Sequence, residues 1–352
     1  MSPAGESNTA DAAALDASAL AALTAPRRPA RIACVGVYIV DVLGRPVAEL
    51  PRGQRSLPLD EIRITPAGTA GGTSVDLARL GAEVVAVGAV GDDMLADFLL
   101  TALSNERVDT THVVRKPDSG VQTSATILPI HPDGTRPAWH VPGTNRLLGP
   151  DDIPTAEIER CDALHYGGVS ALPLLDGEPA AQMLRHAKEH GALTTADCLG
   201  VRREDAFELL QQCLPYVDLF MPNEGEALAI TRADSVSAAA RMLLDTGAGC
   251  VIVKRGEHGC LIVDEQGERA VPAFTGPVLD TTGCGDAFCA GVIVARSAGW
   301  TIEQAALFGS ATGTLTARAL GSDAGARSFD EALTYMRTAP RAATPEATGK
   351  AS

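Results

Sequence analysis

The chain has 352 residues, of which 45% are apolar and only 4% aromatic, and its formal net charge is −15. This length suffices for one large domain or two ordinary ones, with a core filled mainly by alanine, valine and leucine. A nucleic-acid-binding protein normally presents a basic surface, so the acidic balance excludes that class from our expectations. We therefore predict no nucleic acid partner.

Eight cysteines occur without a C-x-x-C pair and without metal-ligand spacing to histidine. Several of them, such as Cys34 and Cys250, lie within apolar runs and are interpreted as small core residues. Unpaired thiols favour a reducing compartment, so we predict a cytoplasmic protein. Since no run approaches 18 apolar residues and the N-terminus lacks a signal-peptide pattern, we expect no membrane partner.

The two ends differ from the middle in composition. Residues 1–28 are rich in Ala, Ser, Thr and Asp, which predicts a disordered tail, with a short helix over 15–23 as the alternative. Residues 338–352 predict a second disordered tail. The folded domain is therefore expected to span residues 29–337.

The middle of the chain opens with a buried strand, Arg31–Gly36, an apolar run that ends at glycine. Beyond it the pattern settles into strands that alternate with helices, which predicts a mostly parallel sheet covered by helices. Strands are predicted at 84–90, 163–166, 193–196, 219–221 and 250–254. Helices are predicted from about 93 to 103 and at 179–190, 203–214, 225–230, 236–246, 286–298 and 302–315.

Two segments, about 42–65 and 121–142, have strand character outside this alternation. The second contains a turn at Pro132-Asp133-Gly134 and predicts a β-hairpin. Both segments together predict a small sheet that stands apart from the main one.

The most informative stretch is Asp280-Thr281-Thr282-Gly283-Cys284-Gly285-Asp286-Ala287-Phe288, which leads into a predicted helix. Small residues at a helix start leave backbone N–H groups available to an anion. Asp286 would repel a phosphate, but it would accept a proton from a hydroxyl that attacks a phosphoryl group held by Gly283, Cys284 and Gly285. A glycine-rich turn with a capping aspartate is the structural alternative.

Further candidates follow other predicted strands. Asp41 comes five residues after Gly36, just beyond a strand end where open α/β sheets bind ligands, although an aspartate that caps a loop is equally compatible. Asn223 and Glu226 begin a helix, where a glutamate complements the dipole and needs no further role. The same pair is adequate for Mg²⁺, which keeps several waters and accepts one or two carboxylates.

The stretch 280–288 resembles the second signature of the ribokinase-like (PfkB-type) carbohydrate kinases, Asp-Thr-x-Gly-Ala-Gly-Asp, with Cys284 in place of Ala. The resemblance covers about residues 30–335. It implies an α/β fold, a three-layer sandwich whose mostly parallel central sheet is covered by helices, with segments 42–65 and 121–142 forming a small β-sheet lid over the substrate. It also implies an ATP-dependent kinase with Asp286 as the catalytic base and Gly283 to Gly285 as the anion hole.

The same resemblance implies that Asp41 binds sugar hydroxyls and that Asn223 and Glu226 position Mg²⁺. The first glycine motif of the family, Gly-Gly-x-x-x-Asn-x-Ala, matches imperfectly over residues 67–74. Gly68 matches its second glycine, alanine replaces the first, and Gly72 falls where a sugar-binding Asn is usual. This departure bears on the identity of the substrate more than on the reaction.

For the nucleotide, the resemblance implies that Lys254, Gly256 and Gly259 border ATP in a strand and its following turn. Lys254 either faces phosphate or is a solvated turn lysine. Thr282 is assigned to the nucleotide side, and residues 311–321 would lie beside the adenine. Asp197 ends a strand at the ligand edge, but its role is weaker because the family usually continues Asp-x-Asn there.

Three further expectations rest on fewer residues. Asp280 and Thr281 resemble positions near a monovalent-cation site in parts of the family, which leaves K⁺ activation open. An exposed edge or face of the lid invites pairing, so a homodimer through the lid is expected. The seven histidines are not paired with a Cys or Ser in a way that suggests a triad or a metal site, and we interpret them as surface or core residues.

The sequence thus predicts ATP-dependent phosphorylation of a hydroxyl of a small sugar. A nucleoside kinase of the same family is the alternative, because the usual Asn is missing at Gly72, although Trp139 as the single aromatic of the lid argues against a stacked base. A non-catalytic metabolite-binding relative is a second alternative. The intact Asp286 and the Asn223-x-x-Glu226 pattern argue against it.

Overall fold

A nine-stranded sheet forms the centre of the protein in the computed structural model, which describes residues 15–201 and 203–343. The parallel strands are β1 (Arg31–Gly36), β4 (Glu83–Val90), β5 (Asp109–Arg115), β8 (Ala163–Val169), β9 (Leu193–Cys198), β10 (Leu219–Phe220) and β11 (Cys250–Lys254). Two antiparallel strands, β12 (Cys260–Asp264) and β13 (Gly267–Val271), extend one edge. The spatial order is β13-β12-β11-β10-β9-β8-β1-β4-β5.

Both faces of this sheet are covered, which explains why its strands are continuously apolar rather than alternating. In β1, Ile32 and Cys34 belong to one hydrophobic cluster, whereas Ala33 and Val35 belong to another. Successive side chains of a strand point to opposite faces, so the two clusters lie on the two sides of the sheet. The predicted three-layer sandwich is confirmed.

The helices divide between these two clusters. One face carries α1 (Ala17–Ala21), α2 (Gly71–Arg79), α3 (Met94–Asn105), α9 (Cys284–Ser297), α10 (Ile302–Thr316) and α11 (Phe329–Thr338). The other face carries α4 (Thr155–Ile158), α5 (Glu178–Glu189), α6 (Ala206–Cys213), α7 (Glu224–Thr231) and α8 (Val236–Asp245). Within the described part of the chain, no helix has both the length and the apolar character needed to cross a membrane.

A separate four-stranded sheet forms the lid. Its strands are β2 (Ile39–Arg45), β3 (Glu61–Ala67), β6 (Ala125–Pro129) and β7 (Trp139–Val141), in the order β3-β2-β6-β7. β6 and β7 pair antiparallel, as the predicted hairpin requires, and β2 pairs parallel with β6. The two segments that sequence analysis assigned to a separate sheet therefore form the lid.

Helices α9 and α10 approach each other closely because small residues line their contact. A Cβ added at Gly309 would lie 2.8 Å from the carbonyl oxygen of Phe288, and one at Gly313 would lie 3.0 Å from that of Cys284. Glycine lets the two backbones approach closely beside the Phe288 ring. The contact fixes the N-terminal end of α9 against its neighbour.

Several elements escape the sequence patterns. The strands β5, β12 and β13 and the helices α2, α4 and α11 were not predicted. The two edge strands, β5 and β13, are partly exposed and lack a continuous apolar run, and β5 alternates in exposure along its length. β12 is different, because it is a buried apolar strand that lies one position in from the edge. The β12–β13 hairpin turns through only two residues, Glu265 and Gln266, so the two strands merge with the preceding one into a single extended pattern.

The start of the described chain differs from the predicted disordered tail. Helix α1 lies where the alternative prediction placed a short helix, and Leu20 is buried in the core. Arg337 donates hydrogen bonds to the carbonyl oxygens of Leu20 and Leu23, and the Trp300 indole donates to that of Thr24. These contacts attach residues 15–28 to the domain, whereas residues 1–14 lie outside the described residues.

The predicted C-terminal tail also differs where the structure describes it. The Thr275 N–H donates to the Pro340 carbonyl at 2.9 Å, and the Ala342 N–H donates to that of Ala273 at 2.9 Å. The segment 339–343 therefore runs as an extended strap beside residues 273–275. Residues 344–352 lie outside the described residues.

Candidate active site

A cleft of about 1040 Å³ opens at the carboxyl edge of the main sheet, between the sheet and the lid. It is lined by every residue that the sequence predicts for the site except Gly72. These residues are Asp41, Gly68, Asp197, Asn223, Glu226, Lys254, Gly256, Gly259, Thr282, Gly283, Cys284, Gly285 and Asp286. The carboxyl ends of parallel strands meet at one edge, which is why positions so distant in sequence converge here.

The loop before α9 is pre-formed by its own hydrogen bonds. The buried Asp280 carboxylate accepts bonds from the Thr282 N–H at 2.9 Å, the Thr282 hydroxyl at 2.7 Å and the Gly321 N–H at 2.9 Å. Gly283 has a φ of 78°, and a Cβ there would lie 2.5 Å from the Ser322 Cα, so only glycine fits. Cys284, Gly285 and Asp286 follow as the first three residues of α9, where N–H groups lack helical partners.

Asp286 lies in a strongly acidic environment. Burial raises the pKa of its carboxyl to about 8, and the negative charges of Asp197, Asp41 and Glu226 add to this effect. The Lys254 ammonium acts in the opposite direction. A carboxyl group with such a pKa holds and releases a proton near neutral pH, which suits acid–base chemistry.

Lys254 is a buried cation beneath the loop and not the solvated turn lysine of the alternative prediction. Its Nζ lies 2.7 Å from the Asp197 carboxylate, and the two side chains are 11% and 2% exposed. Burial disfavours the charge, but the acids Asp197 and Glu226 and the Cys289 thiol outweigh it and raise the pKa of Lys254. A Cβ at Gly285 would lie 3.3 Å from Nζ, so the glycine leaves room for this ammonium beside the loop.

Asn223 and Glu226 form a capping box at the start of α7. Asn223 Oδ1 accepts from the Glu226 N–H and Glu226 Oε2 accepts from the Asn223 N–H, both at 2.9 Å, while Glu226 Oε1 accepts from the Gly200 N–H at 2.9 Å. Burial and the charge of Asp197 raise the pKa of Glu226. The pair therefore has the structural role of the alternative prediction, and it faces the cleft as well.

The lid side of the cleft contains Asp41 and Gly68. Asp41 on β2 is buried, which raises the pKa of its carboxyl to about 6 against the opposing effects of the Thr126 hydroxyl and the Arg136 guanidinium. Gly68 has a φ of 93°, and a Cβ there would lie 2.4 Å from the Val37 carbonyl oxygen. Glycine is therefore required at position 68 by its backbone.

Gly72 lies on α2, buried behind Asp286. A Cβ at Gly72 would lie 2.5 Å from Asp286 Oδ2 and 3.1 Å from its Cγ. The space that a larger side chain would occupy at this position is thus filled by the Asp286 carboxylate. Glycine at position 72 therefore leaves room for the Asp286 carboxylate.

Residues 29–328 match the description "pfkB family carbohydrate kinase". The chain belongs to this family. It is a phosphotransferase that acts on an alcohol group, as the kinases among its relatives do. The pfkB match covers the main sheet and the lid together.

Two curated relatives and one solved structure illustrate the similarity. The chain is 29% identical over 270 residues to a deoxyribokinase of Salmonella typhi, covering 73% of this chain and 82% of that one. It is 32% identical over 256 residues to a cytidine kinase of Thermococcus kodakarensis, covering 71% and 87%. The structure of Arabidopsis thaliana ribokinase complexed with ribose and ATP superimposes with a TM-score of 0.70 at 19% identity, covering 88% and 99%.

Three polar lid residues of this pfkB kinase reach the cleft without having been predicted. Arg136 donates from Nε to the Thr281 hydroxyl at 3.1 Å and from Nη2 to the Thr281 carbonyl at 3.3 Å, which ties the lid to the loop before α9. Thr126 and His140 are cross-strand partners whose side chains hydrogen-bond at 3.0 Å. They alternate with the exposed Ile127 and Trp139, and this alternation in the predicted hairpin is a signal that could have identified them.

The remaining wall of the cleft is built from α10, the segment before α9 and the C-terminal strap. Its residues are Phe274, Thr275, Gly276, Val278, Ser310, Gly313, Thr314, Ala317, Ala342 and Ala343. The sequence places residues 311–321 beside the nucleotide, and the helical part of that stretch does line the cleft. The strap was missed because Ala342 and Ala343 lie in a segment with the composition of a tail.

Proposed function

We propose that this kinase transfers the γ-phosphoryl group of ATP to a hydroxyl of a small sugar, with Asp286 as the general base. The observation that carries this proposal is the position of the Asp286 carboxylate, in the first turn of α9 and in a cleft that it shares with Asp41. In the proposed reaction Asp286 takes the proton of the attacking hydroxyl as the bond to phosphorus forms. The bond from phosphorus to the leaving ADP oxygen breaks in line with the attack.

The raised pKa of Asp286 supports this role. A base is most effective when its pKa lies near the working pH, because it must hold the proton it removes and then lose it. The value of about 8 arises from burial and from the neighbouring acids. The Lys254 ammonium lowers the pKa of Asp286, so the Lys254–Asp197 pair has a positioning and electrostatic role beneath the base.

Backbone N–H groups of Gly283, Cys284 and Gly285 are proposed to stabilise the charge of the transferring phosphoryl group. Their loop is held before substrate arrives by the Asp280 hydrogen bonds, so little reorganisation is needed. One such pre-positioned donor is worth about 2.7–4 kcal/mol of barrier in comparable anion holes. Thr282, Gly256 and Gly259 would contact ATP from the same side.

The chemistry of the donor set fits a magnesium ion held largely through water. Both Glu226 oxygens already accept one N–H bond each, but a carboxylate oxygen keeps a second lone pair. Glu226 and Asp197 together provide the carboxylates that Mg²⁺ prefers. When bound, the ion would neutralise negative charge on the ATP phosphates, while Asn223 keeps Glu226 oriented through the capping box.

The polar groups of the acceptor side favour a sugar. Asp41, Thr126 and His140 offer carboxylate, hydroxyl and imidazole groups, and Trp139, the aromatic residue nearest to them in sequence, points outward with 53% of its surface exposed. An unstacked sugar suits such a wall better than a base. A nucleoside is the second candidate, because the cytidine kinase is 32% identical to this chain.

The test is turnover of Mg·ATP to ADP across pentoses, hexoses, keto-sugars and nucleosides, with Asp286→Asn measured in parallel. General base catalysis contributes about 10²–10⁴-fold, so the variant should lose that factor in kcat with an acceptor that the wild type uses. Asp92→Asn, at an exposed acid outside the cleft, is the matched control and should retain full activity.

Each result has a definite meaning. Turnover with one acceptor, abolished in Asp286→Asn, would support the proposal and name the substrate. A variant with most of its kcat would overturn Asp286 as the base. ATP binding without turnover of any sugar or nucleoside would overturn the substrate class, and absence of ATP binding would overturn the choice of donor.

We also propose a homodimer through the outer face of the lid. This face carries large apolar side chains that are 44–66% exposed, namely Ile62, Ile64, Ile127, Trp139 and Val141. Ile64, Val42, Ile127 and Trp139 form one row across the four strands, and a flat apolar row suits a second copy of itself. Light scattering should give twice the chain mass, and Ile64→Lys with Ile127→Lys should give monomers; a wild-type monomer would contradict this proposal.

Two earlier expectations remain predictions. K⁺ activation would require oxygen ligands near Asp280 and Thr281, where both Asp280 oxygens already accept hydrogen bonds, so kinase rates in K⁺ and in a bulky organic cation are to be compared. A cytoplasmic location is consistent with eight free cysteines and awaits localisation in cells.

A further inference from the structure

A cluster of two histidines and a glutamate lies at the edge of the sheet opposite to the cleft. His186 is in the last turn of α5, His190 is its C-cap residue, and Glu159 follows α4 just before β8. Because α5 starts from the carboxyl end of one parallel strand and returns to the amino end of the next, its C-terminus lies at the amino edge of the sheet. The cluster is therefore remote from every residue proposed for catalysis.

The three side chains are close enough to share one ion. One ligand atom of each residue lies within 4.8 Å of those of the other two. His186 Nε2 and Glu159 Oε1 are 3.2 Å apart. Two ligands of a tetrahedral zinc ion, with bonds of about 2.0–2.1 Å, are themselves roughly 3.3 Å apart, so this pair needs little movement to bind.

The third ligand is oriented by the backbone. His190 Nδ1 lies 2.8 Å from the carbonyl oxygen of His186 and donates to it, which leaves the lone pair on Nε2. A metal-binding histidine commonly donates its second ring N–H to a carbonyl in this way. The two imidazole rings are 4.4 Å apart, a spacing expected for residues at i and i+4 on one helix face.

We propose that Glu159, His186 and His190 form a binding site for a zinc-class divalent cation. Two imidazoles and a carboxylate suit Zn²⁺, Co²⁺, Ni²⁺ and Cu²⁺, whereas Mg²⁺ prefers oxygen ligands alone. Water completes the coordination, because the site is partly exposed and three protein ligands leave a position open.

The bound ion adds a direct link between two segments that are 27 residues apart in the sequence. It links the segment after α4 to the end of α5, and both segments pack on the same face of the sheet. An ion that binds the folded chain and not the unfolded one raises stability with its concentration. The site thus acts as a cross-link, and it leaves the kinase reaction unchanged.

The experiment uses the full chain without a histidine tag, freed of metal with a chelator and titrated with ZnCl₂ by calorimetry. We expect one ion per chain, a thermal unfolding midpoint that rises with Zn²⁺, and Zn²⁺ affinity that falls at least about tenfold in His186→Gln and in His190→Gln. Glu159→Gln should weaken binding as well. His131→Gln, in the lid turn, is the control histidine and should bind like the wild type.

Electron paramagnetic resonance spectra of bound Cu²⁺ separate loss of a ligand from loss of folding. The spectrum of the wild type should show two coupled nitrogens, and that of each histidine variant should show one. If cysteines or cleft acids bound the zinc instead, Zn²⁺ affinity would be unchanged in both histidine variants, and this result would overturn the site. Absence of Zn²⁺ binding at 100 times the protein concentration would overturn it too. Neither result bears on the proposed kinase reaction, which is measured separately.

Discussion

The loop Asp280–Asp286 and the lid are two walls of one cleft, and they differ in how the chain builds them. The loop is nearly contiguous: its groups come from seven successive residues, fastened by Asp280. The lid wall is assembled from β2, the turn at Arg136 and the β6–β7 hairpin. A site built from consecutive residues appears in the sequence as a motif. A site assembled from distant segments appears there only as scattered polar residues.

The two walls are nevertheless connected. Arg136 on the lid bonds to Thr281 of the loop, and Gly72 of the segment that follows β3 touches the Asp286 carboxylate. The negative charge of Asp41 also raises the pKa of Asp286. Substitutions that act mainly on one wall, or on the link between the walls, therefore test how the loop and the lid differ.

The largest effect on stability is expected from Lys254→Met, which removes the cation beneath the loop. Asp197 would then be buried without its partner, and breaking a buried ion pair costs about 3–5 kcal/mol. Urea unfolding should show this loss in the free energy of unfolding. Lys188→Met, whose pair with Asp218 is exposed, should cost less than about 1 kcal/mol, and equal losses in the two variants would contradict the buried role of Lys254.

Arg136→Ala should be next, because it cuts the connection between the walls. Hydrogen bonds that involve a charged group are worth about 1.5–3 kcal/mol, which corresponds to roughly 10- to 100-fold in kcat/KM. Arg136→Lys should recover part of the rate. The matched control is Arg115→Ala, which removes a surface arginine paired with Asp92, and a rate as high as that of the control would show that the lid wall works without this link.

Gly72→Ala tests the contact between α2 and the base. The added methyl group would lie 2.5 Å from Asp286 Oδ2 and must displace the carboxylate, at a cost of about 1–3 kcal/mol for overpacking. We expect kcat to fall several-fold while the KM for ATP stays unchanged. An unaltered kcat would mean that the carboxylate position at Gly72 is irrelevant to the reaction.

The effect that is smallest per unit of pH distinguishes the acids of the two walls. The folded-state pKa of Asp286, about 8, lies above its ordinary value of 3.8, so its contribution to stability is complete below pH 3.8 and is lost as the pH rises to 8. The free energy of unfolding of the wild type relative to Asp286→Asn should therefore fall by up to about 1.4 kcal/mol per pH unit in that range.

Asp41 provides the comparison for this measurement. Its pKa of about 6 places the corresponding loss between pH 3.8 and 6, so Asp41→Asn should remove only that part of the dependence. Urea unfolding at pH 5, 6, 7 and 8 checks both. Identical profiles for the two variants would contradict a difference between the walls.

Much of the fold follows from local patterns. The runs at Arg31–Gly36 and Cys250–Lys254 coincide with β1 and β11, because strands buried on both faces are uniformly apolar. The two lid segments were recognisable because they break the alternation of strands and helices. The edge strands β5 and β13 were not, since exposure removes the continuous apolar run.

The ends of the chain show a second limit of sequence patterns. Residues 15–28 and 338–343 have the composition of tails, yet Leu20 enters the core and Ala342 lines the cleft. Their order depends on partners that are distant in sequence, Arg337 for one end and Ala273 for the other. The composition of a segment indicates how much apolar surface it can bury by itself. In these two segments, contacts with distant partners determine whether the chain is ordered.

The sequence by itself determined the fold class, the family and the identity of the loop before α9, because periodicity and a contiguous motif are local properties. Only the tertiary structure decided that Lys254 is buried against Asp197, that Gly72 accommodates Asp286 and that Arg136 joins the lid to the loop. These are contacts between residues that lie 57, 214 and 145 positions apart in the sequence. Their energies depend on burial and distance, which arise only when the chain has folded.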